Sequence, residues 1–133
     1  MGFEELIETR EIIICCGSGG VGKTTTAAAI GIQAALHGLK VIVLTIDPAK
    51  RLANSLGLSE LGNKERRVPA KKFAEAGISP KGELHAMMLD TKRTFDDLIV
   101  KHAVNKEMSD RILENSLYKN ISNAFVGSQE YMA

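Results

Sequence analysis

Gly17-Ser18-Gly19-Gly20-Val21-Gly22-Lys23-Thr24 fills every fixed position of the phosphate-loop pattern G-x-x-x-x-G-K-[ST]. Each residue type in it has a physical task. Glycines let the backbone curl tightly enough for its N–H groups to point at a polyphosphate. A lysine brings a mobile positive charge to the outer phosphates, and a threonine hydroxyl is a ligand for Mg²⁺. The flanks agree with the pattern. Arg10-Glu11-Ile12-Ile13-Ile14-Cys15-Cys16 is a β-branched run that predicts a strand entering the loop. Residues 24–37 are Ala-rich and predict a helix leaving it. Strand, glycine loop and helix in that order put a helix N-terminus, with its partial positive charge, at the loop.

Downstream, Gly38 suits a left-handed helix cap. Leu39-Lys40-Val41-Ile42-Val43-Leu44-Thr45-Ile46-Asp47 follows, with the continuous apolar centre of a parallel strand buried on both faces. Two strands joined by one helix form a right-handed βαβ unit, and such units bind ligands at the carboxyl ends of their strands. Asp47 stands at that end, where a carboxylate orients an attacking water or holds Mg²⁺ through water. It also suits the N-cap of a helix over 49–56, after the change of direction that Pro48 imposes.

The run CGSGGVGKTTTAAAIGIQAALHGLKVIVLTIDPAKRLANSLGL resembles the arsenite-pump-type, or anion-transporting, ATPases. The resemblance is carried by Gly19-Gly20-Val21-Gly22-Lys23-Thr24-Thr25 and by Asp47-Pro48-Ala49. It extends through Met87-Met88-Leu89-Asp90-Thr91-Lys92-Arg93-Thr94-Phe95 to Gly127-Ser128-Gln129-Glu130-Tyr131-Met132-Ala133. It implies an α/β P-loop NTPase, a parallel sheet flanked by helices, that binds and hydrolyses ATP with Mg²⁺. It implies that Gly17, Ser18, Gly19, Gly20, Val21, Gly22, Lys23, Thr24 and Thr25 hold ATP or ADP, with Lys23 catalytic on the phosphates and Thr24 on the metal. Asp47 matches the switch I aspartate that positions the hydrolytic water. The family's eukaryotic members target tail-anchored membrane proteins, so a membrane pump or a client protein is the implied partner.

One position departs from that pattern. Many members carry a second lysine where this chain has Ser18, and in them it reaches the partner's nucleotide across a dimer. A serine hydroxyl has neither the charge nor the reach. Lys50 and Arg51, just after the switch aspartate, are read as a solvated helix face. The family's switch II segment has no match here; the one acidic strand end left for a Walker B role is Asp90, after Ala86-Met87-Met88-Leu89. Residues 1–133 are therefore expected to be the N-terminal part of a longer ATPase domain. A non-hydrolysing nucleotide-binding or interaction module and a chromosome-partition-type ATPase are the alternatives.

The remaining sequence narrows the partners. At 133 residues, 44% hydrophobic and 25% charged, with a formal net charge of +1, the chain offers no bulk electrostatic case for nucleic acid or an acidic membrane. Its N-terminus carries Glu4 and Glu5 where a secretory signal is basic, which points to the cytoplasm. Cys15 and Cys16 read as small buried side chains ending a central strand, since neighbours on a strand face opposite ways. Lys64, Arg66, Arg67, Lys71 and Lys72 form a basic run opposed by Glu65 alone, in a surface connection marked by Pro69, Gly77, Pro80 and Gly82. Residues 83–90 predict a third strand, with His85 an ordinary strand residue. Phe95, Leu98, Ile99 and His102 share a helical face, and Ile112, Leu113, Leu117, Ile121, Ala124 and Phe125 predict one or two more helices. Unpartnered apolar faces on such a fragment predict self-association.

Overall fold

A computed structural model describes residues 2–46 and 50–132, with residues 125–132 as backbone only. In chain order the elements are α1 (Phe3–Thr9), α2 (Lys23–Leu36), β1 (Lys40–Thr45), α3 (Arg51–Ser55), β2 (Arg66–Arg67), α4 (Ala70–Glu75), β3 (Glu83–Met88), α5 (Thr91–His102), α6 (Lys106–Glu114) and α7 (Ser116–Met132). The sheet order is β1-β3-β2. β1 and β3 run parallel, with Lys40 opposite Glu83 and Thr45 opposite Met88. The two-residue β2 joins β3 antiparallel, Arg66 opposite Ala86 and Arg67 opposite His85. The sheet is thus mixed, its parallel part being β1 and β3.

α2 lies against this sheet because its inner stripe is small. Ala28, Gly31, Ala34 and Ala35 are buried. A Cβ on Gly31 would collide with Val43 and sit 3.0 Å from Leu84 Cδ1, so helix and sheet approach as closely as a glycine allows. The core continues through Val43, Leu84 and Ala86 of the sheet to Leu52 and Ala53 of α3, and on to Leu56, Leu58, Val68 and Phe73. The turn from α2 to β1 is closed by Gly38 at φ 90°. Its N–H donates to Ala35 O at 3.1 Å and that of Leu39 to Ala34 O at 3.1 Å, the two-bond closure in which a left-handed residue satisfies the last helical carbonyls. α3 and α4 end the same way, with Leu58 N–H on Ala53 O at 2.8 Å and Ile78 N–H on Phe73 O at 3.0 Å.

The C-terminal helices pack on one another. Asp96 of α5 accepts from the Tyr118 hydroxyl of α7 at 2.7 Å and from Lys92 Nζ at 3.0 Å. Asp90 caps α5 through Arg93 N–H at 3.0 Å, and Asn105 caps α6 through Met108 N–H at 2.8 Å. Yet α5 buries none of its residues, and Phe95, Leu98, Val100, Val104, Met108, Leu117 and Ile121 are all exposed.

Five features differ from the sequence expectations. Residues 10–16 lead into the loop without regular structure and join no strand of the sheet; Ile12 and Ile14 are 80% and 82% exposed. A strand needs a hydrogen-bonding neighbour, and neither edge strand of the sheet, β1 or β2, pairs with this segment. For the same reason Cys16 is exposed and Cys15 half-buried, rather than both being buried. β1 is covered on one face only: Val43 is buried, whereas Ile42 and Leu44 stand exposed on the other side. The basic connection supplies β2 and α4, burying Val68 and Phe73. α1, with Ile7 buried, was not foreseen, since seven residues carry too little period to read.

Candidate functional site

The phosphate loop joins residues 10–16 to α2, and its shape follows from its glycines. Gly20 and Gly22 have φ of 78° and 91°, in the left-handed region that side chains disfavour. Gly22 is also the N-cap of α2. At Gly17 a Cβ would come within 2.9 Å of Val21 Cγ2, so a larger residue there would force Val21 to shift. Thr26 N–H donates to Gly22 O at 2.9 Å and begins the helical ladder. The first N–H groups of an α-helix have no partner within the helix, so this end of α2 presents donors and the positive end of its dipole.

Lys23 is the first residue of α2, and its Nζ donates to Ser18 O at 2.9 Å. The ammonium therefore folds back across the loop, held by one main-chain carbonyl, with further N–H donors left for an anion. Lys23 and Thr24 are half-buried; Gly17, Ser18, Gly19, Gly20, Val21, Gly22 and Thr25 are exposed. The arrangement fits a polyphosphate: a glycine-rich cradle, a cation folded back across it and a threonine at the helix start. It is chemically equipped to bind an anion and, with Thr24, to contribute to a Mg²⁺ shell.

Asp47 lies outside the described residues, as do Pro48 and Ala49. The strand leading to it, β1, ends at Thr45 beside Met88 of β3, and Thr45 O accepts from Leu89 N–H at 2.8 Å. Asp90 follows β3 but serves α5: its carboxylate takes Arg93 N–H, and its own N–H donates to Asn63 Oδ1 at 2.8 Å. Among the described residues no group of His, Cys, Asp and Glu is gathered to hold a metal. At the opposite end of β3, Glu83 accepts from His85 Nε2 at 3.3 Å and pairs with Arg67 Nη2 at 3.2 Å. The His85 hydrogen bond first, then the Arg67 and Lys40 charges, hold the Glu83 carboxyl below its ordinary range against the opposing effect of burial. The lysine-to-Ser18 contact was not legible in the sequence, because its acceptor is a backbone carbonyl placed by the loop's turn. No helix among the described residues is long and apolar enough to cross a membrane.

Comparison with known proteins gives these features a family. The profile of the anion-transporting ATPases matches residues 10–122. An ATPase get3 of Aspergillus terreus is 31% identical over 104 residues, covering 77% of this chain and 30% of that protein. A putative arsenical pump-driving ATPase 1 of Aquifex aeolicus is 50% identical over 56 residues, 42% of this chain and 13% of its own length. An ATPase get3 of Neurospora crassa is 27% identical over 133 residues, 98% of this chain and 36% of its own. The chain thus spans about a third of the length of the get3 relatives it matches. On a match that runs from residue 10 through the phosphate loop and the sheet into α7, this chain belongs to the anion-transporting ATPase family.

Proposed function

We propose that this chain is the nucleotide-binding part of an ATP-hydrolysing member of its family, and that it works as a portion of a larger ATPase domain. The observation that carries the reading is the loop itself: left-handed glycines at Gly20 and Gly22 and the Lys23 ammonium folded onto Ser18 O. ATP or ADP occupies residues 17–25, with the outer phosphates against Lys23. When bound, Mg²⁺ neutralises developing phosphate charge, with Thr24 among its ligands. Asp47 orients the attacking water and accepts its proton. Family membership supports the hydrolytic reading, and the names of the relatives support an anion pump or a get3-type role as the work that hydrolysis drives.

A second reading, a nucleotide-binding module without turnover, has one observation in its favour. Asp90, the acidic group left for a second metal-organising role, is engaged as the cap of α5. The two readings separate in the longer polypeptide. ATP turnover there, lost in Asp47→Asn while nucleotide affinity is nearly kept, is the expected result. Binding without turnover in the parent itself would establish the module.

A further inference from the structure

The basic run of the sequence does not act as one patch in the fold. Arg67 pairs with Glu83 at 3.2 Å, and Lys72 pairs with Glu75 at 3.2 Å. Lys64 and Arg66, both exposed, line instead an open surface cavity of about 510 Å³, to which the exposed Arg93 of α5 contributes. That volume lies within the range of small-ligand sites. The cavity stands at the carboxyl end of β3, the end at which α/β sheets take their ligands. None of its lining belongs to the phosphate loop.

Its wall is held in place at three points. Met88 N–H donates to Gly62 O at 3.1 Å, and Asp90 N–H donates to Asn63 Oδ1 at 2.8 Å. Arg66 Nη1 donates to Glu60 O at 3.1 Å, which fixes that guanidinium and leaves its other N–H donors for a ligand. Among the described residues no carboxylate lies within ion-pair distance of Lys64 or Arg93. Glu60 and Glu65 also line the space, so three cations face two carboxylates.

We infer that this cavity, between the 60–66 loop and the first turn of α5, is a second anion site that takes a phosphoryl group on Lys64, Arg66 and Arg93. Two of the three cations are arginines, whose planar forks match phosphate oxygens in pairs. The two glutamates offset part of the positive charge, and the cations in excess favour a multiply charged phosphate over a monovalent anion.

Amide-resolved NMR of the full 133-residue chain bearing Lys23→Ala, titrated with inorganic phosphate, reads this site apart from the loop. The expected result is saturable shifts at Gly62, Asn63, Lys64 and Arg93. Arg66→Gln with Arg93→Gln should weaken that binding by about tenfold or more. Lys64→Gln, which touches no structural hydrogen bond, should weaken it in the same direction and serves if the double variant unfolds. Vesicles of phosphatidylcholine with phosphatidic acid form the second arm. Broadening at the same amides makes a lipid headgroup the source; shifts with free phosphate alone make it a soluble ligand. Absence of shifts at these amides, equal shifts with chloride at matched ionic strength, or shifts unchanged in the variants would overturn the site.

Discussion

Tyr118 and Asp96 are where one pair of side chains holds two helices together. Burial first, then the Asp96 carboxylate, pushes the Tyr118 hydroxyl up to about 12. Burial pulls Asp96 upward, but the hydrogen bonds from Tyr118 and Lys92 and the Lys92 charge outweigh it and hold the carboxyl below its ordinary value. A depressed carboxylate stabilises the fold above its unfolded-state value, and that contribution is lost as pH falls through the lowered folded one. A raised phenol stabilises below its ordinary 10.0 and loses that contribution as pH rises through about 12. Tyr118→Phe should therefore cost about 0.5–1.5 kcal/mol near neutrality and flatten both pH limbs. Urea unfolding across pH checks this; an unchanged midpoint at neutral pH would remove the contact from the account. At this scale the phosphate loop was legible because its chemistry is local: Gly17, Gly22, Lys23 and Thr24 announce themselves by spacing. The Tyr118–Asp96 bond was not, since 22 residues separate its partners.

Elements were legible wherever they repeat a period over enough residues. α2, β1, β3 and the C-terminal helices follow the Ala-rich, apolar and amphipathic patterns read from the chain. That residues 10–16 stay unpaired was not, because a strand is completed by a neighbour that its own sequence does not specify. Nor was the two-residue β2, whose place beside β3 rests on contacts with Ala86 and His85. The close seat of α2 on the sheet gives the element-scale prediction. Gly31→Ala places a methyl against Val43 and Leu84 and should destabilise the chain by about 1–3 kcal/mol. Gly62→Ala, with open space around its Cβ, is the control. Thermal melts giving equal midpoints for the two variants would mean that the helix–sheet contact is looser than described.

Seen whole, the described residues leave many large apolar side chains exposed. Ile12, Ile14, Ile42 and Leu44 stand exposed in the N-terminal half, and Leu98, Val100, Val104 and Leu117 in the C-terminal half. Apolar exposure of this extent favours association. Light scattering at micromolar concentration should accordingly report a dimer or larger species, and a strict monomer with one cooperative unfolding transition would contradict that expectation. The claim on which the rest depends is that residues 17–25 seat a nucleotide through Lys23. Titration calorimetry of Mg²⁺–ATP into the wild-type chain and Lys23→Ala tests it most directly. Binding to wild type, weakened at least about tenfold in the variant, or roughly 1.4 kcal/mol, is the result this account requires. Equal affinities for the two, or no binding to the wild type, would contradict it.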